Sequence, residues 1–244
     1  YVVSDLVAAG IERVIFVIRP GQIGLKTYYE GNPELEATLQ RLGKTEALKQ
    51  LDAIHHQAKF EFVEQPAALG YGTAPALEAA LPLLDPKEPV IVSASDDFVW
   101  HADGTSEMVA FVQSYLESGA EGAIMTQELP AERIQHYGAL ATRAAGGRQY
   151  LTDIVEKPAP GTAPSNLSNI SKYILGGRLR PYVKDVTPHK ASGERYITDA
   201  VAAGSKDHDV LVHRISGTYL DTGTPATWLA ANQTIAALDA SHRR

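Results

Sequence analysis

Short β-branched apolar runs set between helical stretches constrain this chain's fold most. "ERVIFVI" (residues 12–18) reads as a strand of the kind buried on both faces, and "FEFVEQ" (60–65), "EPVIVSAS" (88–95) and "EGAIMTQEL" (121–129) read as further strands. The opening "YVVSDLVAAG" places Val2, Val3, Leu6 and Val7 on one helical face and ends at Gly10. "GNPELEATLQRLGKTEALKQL" is helical, with Leu35, Leu39 and Leu42 on one face and Gly43 interrupting it. "TAPALEAALPLL" carries Pro75 in its first turn, and "GTSEMVAFVQSYLESG" has a cap at Thr105 or Ser106. Strands alternating with helices predict an α/β fold: a Rossmann-like, mostly parallel sheet with helices on both faces.

Beyond about residue 136 the pattern changes. "YGALATRA" and "RQYLTDIVEKP" flank Gly146-Gly147 and predict an antiparallel hairpin added to the sheet, which makes the sheet mixed. "NLSNISKYIL" is a further strand, "ITDAVAAG" a short helix, "DVLVHRI" and "GTYLDTG" strands, and "PATWLAANQTIAALDASH" a terminal helix. "KPAPGTAPS" reads as a surface loop.

At 244 residues, 44% hydrophobic, the chain reads as one domain with ample core. A formal net charge of −7 argues against a nucleic-acid or anionic-membrane surface and for a small-molecule partner. The absence of cysteine excludes disulfides and thiolate metal sites and points to the cytoplasm, and no apolar run is long enough to span a bilayer. The eight histidines form no ligand signature and read as surface or satisfied core imidazoles.

In open α/β sheets, ligands bind beyond the carboxyl ends of strands. After "FEFV" comes "EQPAALGYGTA": the Gln65 amide offers the donor and acceptor that match uracil or thymine, and Gly70 and Gly72 allow close backbone approach. An ordinary strand–helix turn is the plainer alternative. After "VIVSAS" come Asp96 and Asp97, suited to magnesium, which takes one or two carboxylates with phosphate oxygens and water. Helix-preceding turn residues are the alternative there. Asp221, ending the "TYLD" strand, supplies a second carboxylate. In "IVEKPAPG", Glu156 and Lys157 stand before a proline break, either as a solvated strand end or facing a ligand.

Taken in order, "YVVSDLVAAGIERVIFV", "ELEATLQRLGKTEAL", "EQPAALGYGTA", "SDD", "YGAL", "IVEKP", "APSNLSNISKYIL", "GERYITDAV" and "YLDTGTPATWLAAN" resemble the bacterial UTP–glucose-1-phosphate uridylyltransferases, over essentially the whole chain. The resemblance implies that UDP-glucose and pyrophosphate are made from UTP and glucose 1-phosphate by magnesium-assisted in-line attack on the α-phosphate. It implies nucleotide binding by Gln65, Gly70 and Gly72, and magnesium binding by Asp96 and Asp221. It likewise implies sugar binding by Gly138, Glu156 and Lys157, with Lys157 pairing the sugar phosphate. Lys157 and Asp96 would carry catalysis, residues 1–135 the nucleotide and 136–244 the sugar, in a homo-oligomer.

The chain departs from the resemblance at Ser171, where the family usually has glycine, and at Thr73, where the glucose enzymes often carry histidine. Related thymidylyl or guanylyl transferases, and a non-catalytic nucleotide- or sugar-binding regulator, are the alternative readings. The family's opening strand and G-x-G-T-R loop have no counterpart here, and "ERVIFVI" and "PVIVSAS" need a strand between them. The expectation is therefore a single domain whose complete form carries that strand and loop upstream.

Overall fold

A computed structural model describes residues 1–242. Helix α1 (Val2–Ala8) buries Val3 and Leu6 and leads to strand β1 (Arg13–Ile18). Three helices follow: α2 (Gly24–Glu30), α3 (Pro33–Arg41) and α4 (Thr45–His56). The Asn32 side chain caps α3 and Pro33 starts it, while Gly43 at φ +65° separates α3 from α4. Strand β2 (Lys59–Glu64) pairs in parallel with β1. Helix α5 (Thr73–Ala80), with Pro75 in its first turn, lies over both of these strands.

The remaining strands form a larger sheet and a short ribbon. Strand β3 (Val90–Ser93) is followed after a bend by β4 (Asp97–Trp100), then by α6 (Glu107–Ser118), capped by the Ser106 side chain. Next come β5 (Gly122–Glu128), α7 (Ala131–Ile134), and the hairpin of β6 (Gly138–Ala145) and β7 (Arg148–Glu156). Gly146 and Gly147 both have positive φ, as the tight hairpin turn requires. Strand β8 (Leu167–Leu175), α8 (Tyr182–Asp185), α9 (Ile197–Gly204), β9 (Val210–Arg214), β10 (Thr218–Asp221) and α10 (Pro225–His242) complete the chain.

The six-stranded sheet has the order β3-β8-β5-β9-β7-β6, and β6 also touches β8 through Ala139 and Ser168. One face packs Leu140, Leu151 and Tyr173 against Leu77 of α5, Val183 of α8 and Val201 of α9. The other packs Met125, Ile170 and Leu211 against Leu6 of α1 and Phe111 of α6. The mixed α/β class and the two helical layers are as the sequence predicts.

The balance of strand directions is not. Among the described strands only β1–β2 and β5–β9 run parallel, whereas the sequence reading expects a mostly parallel sheet. The reason lies in β8, which follows a hairpin and a proline-rich loop rather than a helical crossover. It inserts antiparallel between β3 and β5.

Two further differences concern short elements. The sequence reading assigns no helix to residues 24–30, and it sets Asp97 beside Asp96 beyond the end of the "VIVSAS" strand, as a magnesium candidate or a turn residue. Asp97 instead begins β4, which pairs antiparallel with β10. Among the described residues, β1 has a ladder partner on one edge only, and β3 pairs with β8 alone. Val90 and Val92 of β3 pack on the cluster that contains Ala74 and Leu77 of α5, so α5 bridges the two sheets across these open edges.

Candidate active site

The bend between β3 and β4 separates two adjacent aspartates by burial. Asp97 points inward and is 4% exposed. Its carboxylate pairs with the Lys172 ammonium from β8, itself 4% exposed, and accepts the Tyr219 hydroxyl at 3.2 Å. Lys172 Nζ also donates to the Asp97 carbonyl at 3.1 Å and to the Ala94 carbonyl at 3.3 Å. Burial, with the charge of Asp97, pushes the Tyr219 phenol well above its ordinary range. Asp97 is thereby spent inside the protein.

Asp96 is exposed, and among the described residues only its backbone is engaged: its carbonyl accepts the Thr222 amide and hydroxyl, each at 2.7 Å. Those bonds draw it to the end of β10, where the Asp221 carboxylate accepts the Gly223 amide at 2.8 Å. A Cβ added to Gly223 would lie 3.2 Å from Asp221 Oδ1 and 3.2 Å from Asp96 Oδ2. The two oxygens are thus no further apart than twice that distance. No group of three or more His, Cys, Asp or Glu side chains is gathered as a metal site among the described residues. An exposed pair of carboxylates fits magnesium, which fills its other positions with water and phosphate oxygens.

The glycine turn after β2 is built differently from the sequence expectation. Gln65 continues the β1–β2 ladder through its amide, and its side-chain Nε2 donates to the Gly70 carbonyl at 2.9 Å. That leaves Oε1 as the group free for a ligand. Gly70 (φ +84°) has open space where a Cβ would stand, whereas at Gly72 (φ +122°) a Cβ would meet the Arg195 carbonyl at 2.3 Å. The glycine at 72 is required by the protein's own backbone.

Gly138 and Glu156 face each other in the β6–β7 ladder, and a Cβ on Gly138 would lie 3.0 Å from Glu156 Oε2. The glycine makes room for the carboxylate. Lys157 has φ +44°, the one positive φ outside glycine among the described residues, and its amide donates to the Tyr137 carbonyl at 3.1 Å. Its side chain is exposed and has no hydrogen bond or ion pair among the described residues. Pro158 is buried and ends the strand.

The contact of β6 with β8 brings Gly138 and Glu156 to the end of the sheet where β8 starts. That is the same end as the β3–β4 bend, since Ser93 pairs with Lys172 further along β8. Tyr173 follows Lys172 on β8: burial pushes its phenol up, and the charges of both Asp97 and Glu156 add to the shift. Its hydroxyl receives a bond from Asn169 Nδ2 at 2.7 Å, and Asn169 Oδ1 is buried with no protein partner among the described residues.

Sequence reasoning missed Lys172, Asn169 and Arg195. A lysine within "NISKYIL" carried one usable signal, because a cation on a buried strand needs a carboxylate. Asn169 and Arg195 carried none. Among the histidines, His101 and His213 each place Nε2 2.8 Å from Glu107, and the Ser216 and Gly217 amides donate to the same carboxylate at 3.0 Å. Burial alone would raise that carboxyl, but these bonds outweigh it and hold it at about 2. This knot ties α6 to β9 and to the β4–β10 ribbon that carries the acidic pair.

Two open carboxylates, a glycine turn, and Glu156 with Lys157 lie around the strand ends of a mixed α/β sheet, where proteins of this architecture bind small ligands. The nucleotidyl transferase family model matches residues 1–237, and the chain belongs to that family. It is 29% identical to the UTP–glucose-1-phosphate uridylyltransferase of Bacillus subtilis over 225 residues, 91% of this chain and 74% of that protein. Among solved structures it is similar to an apo UDP-glucose pyrophosphorylase (TM-score 0.86, 25% identity, 97% of this chain and 85% of the other). It is also similar to a UTP-bound UGPase from Acinetobacter baumannii (TM-score 0.83, 27% identity, 96% and 80%).

Proposed function

We propose that the protein joins UTP and glucose 1-phosphate to give UDP-glucose and pyrophosphate. A phosphate oxygen of glucose 1-phosphate attacks the α-phosphorus in line, and the bond from that phosphorus to the oxygen bridging the α- and β-phosphates breaks as the new one forms, that oxygen leaving with pyrophosphate. The nucleophile is already ionised at neutral pH, so no general base is needed, and the protein's task is alignment and charge neutralisation. Magnesium, when bound, supplies positive charge and a template between the two phosphates. Asp96 and Asp221 would hold it.

The remaining roles follow from what each side chain has free. Lys157, exposed and without an ion pair among the described residues, meets the sugar phosphate, and Glu156 beside Gly138 accepts hydrogen bonds from sugar hydroxyls. Gln65 Oε1 accepts the N3–H of uracil, while its Nε2 holds the turn at Gly70. The open space at Gly70 admits the base or ribose. What carries the reading is the pairing of Asp96 with Asp221 as exposed carboxylates while Asp97, one residue away, is neutralised by Lys172.

The same reading includes a cytoplasmic home, in keeping with the absence of cysteine, and a homo-oligomer. In support of the latter, residues 23–56, which carry α2, α3 and α4, include no buried residue and leave Ile23, Tyr28, Leu35 and Leu42 exposed. No helix among the described residues is long and apolar enough to cross a membrane. The test is pyrophosphate release from UTP and glucose 1-phosphate by the protein expressed from its complete coding sequence. Turnover that is absent in the wild type, or unchanged in Asp96→Ala and Asp221→Ala, would overturn the proposal.

A further inference from the structure

The glycine turn is held by a segment more than a hundred residues later in the chain. Arg195, in the loop between α8 and α9, uses all five of its side-chain N–H groups. Nε donates to the Val186 carbonyl at 2.7 Å, and Nη2 donates to the carbonyls of Val183 at 3.1 Å and Lys184 at 3.3 Å. Nη1 donates to the Leu69 carbonyl at 3.1 Å and to Glu78 Oε2 at 2.8 Å. Its backbone grips the same turn: the Arg195 amide donates to the Tyr71 carbonyl at 2.9 Å, and its carbonyl accepts the Ala74 amide at 3.0 Å. Next to it, the Ile197 amide donates to Thr73 Oγ1 at 2.9 Å.

The Tyr196 hydroxyl bonds to Glu194, and this raises its phenol; the charge of Glu156 adds to the shift. One short segment, residues 195–197, therefore holds the turn from residue 69 to residue 74.

We propose that Arg195 is the positioning residue of the nucleotide turn, setting where Leu69–Ala74 stands and hence how the nucleotide base is held. The inference rests on the reading of Gln65–Gly72 as the nucleotide-binding turn. A guanidinium is required because its five donors diverge in a fixed plane, whereas an ammonium offers three donors from one nitrogen. Gly72 follows from the same arrangement, since any side chain there would drive the turn off Arg195.

The test measures dissociation constants for UTP with magnesium chloride, and separately for glucose 1-phosphate, on the protein from its complete coding sequence. Arg195→Lys is expected to weaken UTP about tenfold, the scale of one net hydrogen bond, while glucose 1-phosphate stays within about twofold. Thr73→Val leaves the guanidinium untouched and removes one bond to the turn. It is expected to weaken UTP by about threefold to tenfold, and it decides the matter if Arg195→Lys does not fold. A residue that merely staples α5 to α8 would lower the melting temperature but leave UTP affinity within about twofold in the folded variants, and that result overturns the proposal. If Gln65→Ala leaves UTP binding unchanged, or the wild type binds no UTP, the nucleotide-turn reading itself falls, and the inference with it.

Discussion

Replacing Lys172 by methionine removes a buried cation of similar length and leaves its partner behind. Lys172 and Asp97 are each 4% exposed, and three acceptors depend on the ammonium: the Asp97 carboxylate and the carbonyls of Asp97 and Ala94. Breaking a buried pair by deleting one partner costs about 3–5 kcal/mol, and three orphaned acceptors at the low end of about 1–3 kcal/mol each reach the same range. For a chain of this size each kcal/mol moves the melting temperature by about 2–4 °C, so a fall of roughly 6–20 °C is expected. Urea unfolding gives the free energy directly. The double variant Lys172→Met/Asp97→Asn removes both charges and should recover at least half of the loss, since the penalty is the uncompensated charge rather than the missing pair. A Lys172→Met protein within about 1 kcal/mol of wild type, or a double variant no better than the single, would refute a desolvated pair at this position.

Lys157→Gly should separate stability from activity. Relief of the backbone at φ +44° is expected to stabilise the fold by up to about 1 kcal/mol, while loss of the ammonium raises the KM for glucose 1-phosphate by at least about tenfold. Both readings come from one preparation by thermal melting and steady-state kinetics. Glu107 predicts an acid effect with a defined sign. Its folded pKa of about 2 lies below the ordinary 4.5, so its contribution is present above about pH 4.5 and disappears as pH falls towards about 2. The unfolding free-energy gap between wild type and Glu107→Gln, about 3 kcal/mol at pH 6, should close over that window; a gap that does not narrow counts against the His101–Glu107–His213 knot. Among the described residues β1 and β3 each leave one edge unpaired, so light scattering of the 244-residue chain should show association that grows with concentration. A monodisperse monomer at all concentrations would contradict it.

What was legible in the sequence divides by range. Runs such as "ERVIFVI" and the Gly146-Gly147 hairpin report local preferences, and the structure keeps them almost residue for residue. Strand direction is not local: β8 runs antiparallel because of the loop that delivers it, and nothing within "NLSNISKYIL" encodes that. Asp97 shows the same limit at single-residue scale. Beside Asp96 it looks like a second turn acid, and only Lys172, distant in sequence, makes it a buried strand residue. Glu156 and Lys157 were visible as an acid and a base before a proline, but their assignment to sugar and phosphate came through resemblance rather than through spacing.

The two glycines of the turn carry the distinction furthest. In the sequence Gly70 and Gly72 are equivalent, both explained by a ligand approaching the backbone. In the structure Gly70 faces open space, while Gly72 is in van der Waals conflict with any side chain because Arg195 already occupies that approach. A ligand contact and an internal contact impose the same residue type, so composition alone cannot separate them. Substitution can: an alanine at Gly70 strains only its own φ and narrows the open space, so it should weaken UTP with a stability loss of about 1–2 kcal/mol. At Gly72 the same change should displace the whole turn from Arg195, with a larger stability loss accompanying the loss of UTP affinity. Equal effects on stability at the two positions would mean that the turn is not held from the Arg195 side.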